Sequence, residues 1–313
     1  MDGGTRVPSV GPYMAPTQKR LILVAIFKQE RPYIEEWIEY HRLMGVDHFY
    51  MYDNECDGRR KMHPILDGYV RHGWVTHIDW CVPPPLQIPA YNDAIARFGN
   101  STDWMGFIDV DEFIVPVQLP SNALPRSVLP SMLDQLGDAS GVFINWNLFG
   151  SNGHEAAPTG STLTRYTSRA KGDDEQHWYG KSVFRPSRAK FDGSVHKPFY
   201  HGSHTGIRTD GHPIPNFPDT RWQVVQPLHH WMAIHHYRTR SRQEYLEKLR
   251  RGRPHTPTAY SPQFLRYNDA VDVTAVIRTY EVLRRLAQDD PEEAGRIEGV
   301  VLDWGRPVGE PKL

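Results

Sequence analysis

The stretch "GFIDVDEFIVP", Gly106 to Pro116, places Asp109, Asp111 and Glu112 among apolar residues. Charge in such a run needs a partner, because taking an ionised carboxylate out of water is costly. Read as a strand, alternation puts Asp109 and Asp111 on one side and Val110 and Glu112 on the other. Two like charges that close raise each other's pKa unless a cation or a ring of donors compensates. A hard divalent ion with oxygen ligands, Mg²⁺ or Mn²⁺, meets that need, and such ions keep substrate phosphates among their ligands. At the carboxyl edge of an α/β sheet, Asp-x-Asp reads as a diphosphate-metal site.

The elements upstream can supply that edge. "RLILVAIF" (Arg20 to Phe27) is a continuous apolar run, as expected of a parallel strand covered on both faces. In "RPYIEEWIEYHRLMG", Pro32 suits a first helical turn, Ile34, Trp37, Ile38 and His41 follow helical spacing, and Gly45 is placed to stop the helix. "HFYMYD" (His48 to Asp53), a helix over Ile65 to His72, "WVTHIDW" (Trp74 to Trp80), a helix over about Ala90 to Phe98 and the strand "DWMGFIDV" continue the alternation. This is the mark of an α/β domain with a mostly parallel sheet. Asp53 with Asn54, and Asp109 with Asp111, then fall at the same edge.

After Pro116 the pattern turns more antiparallel. A helix over Ser127 to Leu136, the strand "GVFINW" and strand-like runs at "STLTRYT" and "KSVFRP" are expected. In "SRQEYLEKLRRG", Ser241 and Glu244 have capping-box spacing, and Gly252 and Pro254 supply the stop. A last amphipathic helix, Asp272 to Ala287, sets Val276, Ile277, Tyr280 and Leu283 on one side. The organisation read from this is a disordered leader over 1–18, a main domain over 19–255 and a helical extension over 256–313 packed on it. There is no internal repeat.

The 36 lysines and arginines nearly cancel 37 aspartates and glutamates, so no overall field draws nucleic acid, and an anionic ligand must be held locally. Cys56 and Cys81 are too few for a disulfide framework and form no CxxC pair, which fits a reducing compartment. There is no signal-peptide core and no run near the roughly 18 apolar residues that span a bilayer. A cytoplasmic protein is expected, with peripheral contact at the inner membrane face compatible with it.

Several stretches together resemble one family. "AIFKQERPYIEEWIEYHRLMGVDHFYMYDNECDG", "FIDVDEF" and "HYRTRSRQEYLEKLRRG" are similar to the glycosyltransferases of family 92 and their bacterial relatives related to family 2, over about Arg20 to Gly252. The resemblance implies the GT-A fold, a Rossmann-like nucleotide-sugar-binding architecture, with a nucleotide-diphosphate sugar donor, Mn²⁺ or Mg²⁺, and inversion at the anomeric carbon. It makes Asp109 and Asp111 the pair that bridges metal, ribose and diphosphate, and His236 a third metal ligand. Asp53 with Asn54, and the loop Phe27, Lys28 to Glu30, fall where such enzymes hold the nucleotide. A leaving diphosphate gathers negative charge, which a nearby cation would stabilise, and Lys181, with Arg185 behind it, is the candidate. Both could equally be solvated surface cations.

Inversion requires a general base on the acceptor side. His154 and Glu155, Asp173, Asp174 and Glu175, and Asp210 all offer themselves; Glu155 is preferred because its glycine-containing loop follows a strand. The Glu-Asp motif of family 2 is missing. Trp37 and Trp104 read as core, while Trp146 and Trp178 read as core or as sugar-stacking faces. Two other functions stay open: a non-haem metal site built on His201, His204 and Asp210, and a non-catalytic sugar- or nucleotide-binding module. The reading favoured is a metal-dependent inverting transferase acting on a carbohydrate or glycolipid acceptor in cell-surface glycan synthesis. Donor base, donor sugar, acceptor and oligomeric state are not legible.

Overall fold

A computed structural model describes residues 18–55, 64–82, 87–214, 227–251 and 266–303. The proposed leader except Gln18, together with Cys56 and the proposed boundary at 255/256, lies outside these residues. The elements run β1 (Lys19–Phe27), α1 (Arg31–Met44), β2 (His48–Asp53), α2 (Pro64–Arg71), β3 (Val75–Asp79), α3 (Gln87–Phe98), β4 (Thr102–Phe107) and β5 (Glu112–Pro116). There follow α4 (Val128–Asp134), β6 (Gly141–Leu148), α5 (Thr162–Arg165), β7 (Ser168–Arg169), β8 (Gly180–Phe184), β9 (Ala189–Lys190), β10 (Phe199–Tyr200) and β11 (Gly206–Arg208). The chain closes with β12 (Pro213–Ile214), β13 (Met232–His236), α6 (Arg242–Arg251), β14 (Ala270–Val271), α7 (Thr274–Asp289) and α8 (Pro291–Val301).

The expected α/β class is found. The main sheet runs β12-β11-β6-β8-β4-β1-β2-β3, and its last four members are parallel in the Rossmann-like order 3-2-1-4. β1 explains its own composition: Leu21, Leu23 and Ala25 pack on the side of α1, whereas Ile22, Val24 and Ile26 join the core beneath α3. A strand covered on both faces has no polar side to show. Chain order reverses between β1 and β4, and the crevice at their carboxyl ends is where such sheets bind ligands.

The second half is mixed, as its sequence foreshadows. β8 runs antiparallel to both β4 and β6. At Gly180 a Cβ would come within 2.0 Å of the Ile144 carbonyl oxygen, so only glycine allows β8 to start so close to β6. β13 lies parallel to β6 and antiparallel to β5, which sets His236 opposite Glu112. α1 ends at Gly45, whose φ of 106° and backbone N–H to the Arg42 carbonyl close the helix in the left-handed region.

Three expectations are corrected. "STLTRYT" is not strand-like: α5 forms there, because the Ser161 hydroxyl accepts from the Thr164 N–H and caps a turn that the β-branched composition disguised. In α7 the buried side is Ala275, Thr279, Val282, Leu283 and Leu286, whereas Ile277 and Tyr280 are exposed, because the helix is rotated relative to the stripe expected. A further helix, α8, follows it; Arg296 on α8 pairs with buried Glu39 of α1. The third correction concerns the acidic stretch itself.

Candidate active site

The acidic residues sit in a turn, not on a strand. β4 pairing runs on to Ile108, whose N–H reaches the Val24 carbonyl, and then the Glu112 N–H bonds to the Asp109 carbonyl at 2.9 Å, reversing the chain over four residues. The Glu112 carboxylate accepts the Asp109 N–H at 2.9 Å and locks the turn from inside. Alternation therefore does not govern the two aspartates, and they face different partners.

Asp109 turns to the buried Lys181, whose Nζ lies 3.0 Å from Oδ2 and 3.8 Å from Glu112 Oε2. Burial would lower the Lys181 ammonium, but Asp109 and Glu112 outweigh it and hold its pKa well above the usual range. Burial instead dominates at Glu112 and pushes its carboxyl up to about 8 against the pull of Lys181. Lys181 is thus neither solvated nor at the surface.

Asp111 is buried and turns the other way. Its Oδ2 accepts from Lys248 of α6 and lies 3.5 Å from His236 Nε2. The Tyr237 N–H bonds to the Asp111 carbonyl at 2.8 Å, which continues the β13–β5 register into the turn. Burial alone would raise the Asp111 carboxyl, yet Lys248 and His236 overrule it and hold it well below the ordinary carboxylate range. His236 is itself lowered by burial, with Asp111 opposing. Its Nδ1 has no hydrogen-bond partner and stands 3.9 Å from Glu112 Oε1, which also has none.

α1 and α6 fix these parts. Trp37 Nε1 donates to the Glu112 carbonyl at 2.9 Å, Tyr40 to the Ile114 carbonyl, and His41 Nε2 accepts the Ile114 N–H. The capping box of α6 is present: the Ser241 N–H reaches Glu244 Oε2 at 3.0 Å while the Glu244 N–H reaches Ser241 Oγ at 3.3 Å. That cap sets the helix so that Lys248 meets Asp111.

A cavity of about 620 Å³ opens beside this end of the sheet, lined in part by Gln29, Tyr33, Thr239, Arg240, Lys248 and Arg251. The volume suits a ligand of cofactor size. Gln29 and Arg240, which both line it, hold φ near 54°, a left-handed conformation that residues with side chains adopt at a cost. Buried Glu30 pairs with Arg251 of α6 and lies 3.6 Å from Arg240, while Phe27 is buried and Lys28 exposed at the same loop. Asp53 turns inward: Oδ1 takes the Glu55 N–H at 2.8 Å and Oδ2 lies 2.9 Å from His77 Nε2. Asn54 donates to the Trp80 carbonyl.

The other candidates lie apart from this group. Glu155 is exposed and pairs with Arg242 at 3.0 Å. Asp173 and Glu175 are exposed, and Asp174 caps a 3₁₀ turn by accepting the Gln176 N–H. His201 and His204 are exposed, and Asp210 pairs with Arg208 and His212. Trp37 and Trp104 are core as expected; Trp146 is buried against Tyr179 and His236, and Trp178 is exposed. Arg185 donates to the Ala139 and Gly137 carbonyls and stacks on Trp104.

Can the residues present hold a metal ion? Among the described residues no group of three or more His, Cys, Asp and Glu side chains is gathered for one. Asp109, engaged with Lys181, does not join the other two expected ligands. Asp111 and His236 do fit as a pair, one hard oxygen and one imidazole nitrogen from a rigid strand and turn. Two protein donors suit a weakly held ion whose shell is completed by substrate phosphates and water. Lys248 now stands at the carboxylate oxygen such an ion would use. Sequence reasoning missed Lys248 and Arg240, although six cations within 238–251, directly after His236, were visible.

No described helix is long and apolar enough to cross a membrane. Structural likeness is distant: S. aureus TarS covers 54% of this chain and 47% of its own at 10% identity and a TM-score of 0.35, too low to bear on what this site does. Curated relatives are nearer in sequence. A glycosyltransferase family 92 protein of Arabidopsis thaliana is 26% identical over 182 residues, 53% of this chain and 28% of its own length. One of Ricinus communis is 28% identical over 163 residues, 49% of this chain and 26% of its own. The chain thus matches about a quarter of the length of these relatives. The sequence profile of glycosyltransferase family 92 matches residues 25–271, most of the chain, and the protein belongs to that family.

Proposed function

We propose that the protein is a metal-dependent, inverting glycosyltransferase that moves a sugar from a nucleotide-diphosphate donor to a carbohydrate or glycolipid acceptor in glycan synthesis. Family membership supports the reaction class. The observation that carries the reading is the cavity whose wall is Lys248, the residue that holds Asp111 at the switch point of the sheet. Asp111 and His236 are the residues that would hold Mn²⁺ or Mg²⁺, and such an ion, when bound, stabilises charge on a leaving diphosphate.

The chain's own groups divide the remaining work. Phe27, Lys28 and Glu30, in the loop that gives Gln29 to the cavity wall, are with Asp53 and Asn54 the residues that would border the nucleotide. Lys181 fixes Asp109 and the turn, so it acts from behind the site. In the single displacement, the acceptor oxygen bonds to the anomeric carbon as the bond to the diphosphate breaks, and the hydroxyl proton passes to a base. Glu155 is retained for that role, and Glu155→Gln tests it through the rate of transfer.

A panel of nucleotide-diphosphate sugars, assayed by thermal shift with and without Mn²⁺, tests the whole reading. At least one should stabilise the protein in a metal-dependent manner. Asp111→Asn should then cut transfer by about 10²–10³, the scale for losing one main electrostatic contact to the transition state, with the fold intact. A panel in which no sugar nucleotide stabilises the protein would remove the reading.

A further inference from the structure

We propose that Arg240 and the hydroxyl of Thr239 form a metal-independent oxyanion site in the wall of the cavity, built for a phosphate-type group of the substrate. This deepens the transferase reading and rests on it for the identity of that substrate.

Arg240 is 5% exposed and lines the cavity, yet its guanidinium is only half used. The ring of Tyr33 lies 3.3 Å from its central carbon and takes one face, and Nη1 lies 3.6 Å from Glu30 Oε2. Nε and Nη2 are buried and have no hydrogen-bond partner, and neither has the Thr239 hydroxyl next to them in the chain. These two nitrogens share one edge of the guanidinium. Their N–H bonds run parallel, at the spacing of two oxygens on a phosphate or carboxylate.

Buried donors left without an acceptor cost free energy, as does the left-handed backbone at Arg240, whose φ is 54°. An acceptor on an incoming ligand would relieve the unmet donors. The edge is closed to solvent in the free protein, so it must swing into the cavity as the oxyanion enters. Of the five further cations that line the cavity, Arg31, Lys248 and Arg251 are paired with Glu55, Asp111 and Glu30, while Arg238 and Arg250 share the lining with Glu244 and Glu247. The oxyanion belongs either to the donor's diphosphate or to an acidic group on the acceptor.

The test is calorimetric titration of the full chain with inorganic pyrophosphate in the presence of a metal chelator. The wild type should bind. Arg240→Lys, which keeps the charge and loses the paired edge, should weaken binding at least tenfold. Arg250→Lys, an exposed cation on the same cavity, should stay within twofold. Thr239→Val should weaken binding about threefold while its melting temperature holds or rises, since an unmet hydroxyl is gone. Repeating the series with a nucleoside diphosphate and with a hexose 6-phosphate assigns the source: the ligand that loses affinity in Arg240→Lys is the one the site serves.

No binding by the wild type, or folded Arg240→Lys binding within twofold of it, overturns the proposal. Should Arg240→Lys fail to fold, unchanged pyrophosphate affinity in Thr239→Val overturns it instead. Pyrophosphate binding that depends on Arg240, together with no response to any nucleotide sugar, would leave the oxyanion site standing and sink the transferase reading.

Discussion

Asp109 with Lys181 and Asp111 with Lys248 are the same chemistry on either side of Val110 with the burial reversed: Lys181 is 1% and Asp109 31% exposed, whereas Lys248 is 29% and Asp111 8% exposed. The first lysine is sealed between β8 and the turn, where removing it would strand the fully buried Glu112 and leave Asp109 to the water it already meets. The second comes from a helix and reaches the carboxylate from the cavity side, where, on the proposed reading, an incoming ion would displace it. One turn thus presents a fixed pair and an exchangeable one. The fixed pair holds the shape of the acidic loop; the exchangeable pair leaves one carboxylate available to a ligand.

The contrast can be broken most forcefully at the sealed end. Lys181→Met should destabilise the fold by about 3 kcal/mol, the low end for orphaning a buried charge, because Asp109 keeps some contact with water. Chemical denaturation measures it, and a loss below about 1 kcal/mol would make the two pairs equivalent.

Of similar size is a pH effect at Glu112. Its folded pKa is raised to about 8, so the native state binds a proton the unfolded chain has released. That contribution is fully present below the unfolded value near 4.5 and is lost as pH rises towards 8. Lys181, Asp109, Asp111 and His236 all face this carboxyl. Glu112→Gln, which mimics the protonated form, should flatten the decline of stability between pH 5 and 8, by up to about 1.4 kcal/mol per pH unit. Melting curves across that range check it; parallel curves for both proteins would contradict it.

The smallest effect belongs to the exchangeable end. Lys248→Met should cost about 1 kcal/mol in a metal chelator, since the ammonium is partly solvated and buried Asp111 keeps His236 and Arg240 as neighbours, and added Mn²⁺ should restore the loss. Failure of Mn²⁺ to compensate would mean that an ion and the ammonium do not share a place.

The sequence made the parallel half of the sheet legible because β1, α1, β2 and β3 each bury one kind of surface and so carry a clean period. The capping box of Ser241 and Glu244 was equally plain, since it needs only four residues. The turn at Asp109 was not, because Ile108 and Val110 are as apolar as strand residues and the reversal depends on the Glu112 carboxylate gripping the Asp109 N–H. The split between the two aspartates followed from the turn and was hidden with it. Lys181 was read as a candidate cation for the diphosphate or a solvated one, and its burial depends on the strand order β6-β8-β4, which no local pattern encodes. Lys248 and Arg240 act across more than a hundred positions in the chain, on Asp111 and Tyr33.

The central claim is that Asp111 and His236 offer a deliberately incomplete place for a divalent ion, finished by the phosphates of a donor. Titration of Mn²⁺ into the wild-type protein, alone and with a nucleoside diphosphate, tests it most directly. Weak binding alone, at least tenfold tighter binding with the nucleotide, and loss of that gain in Asp111→Asn are the expected results. Mn²⁺ binding of equal strength with and without the nucleotide, or a gain that survives Asp111→Asn, would contradict the account.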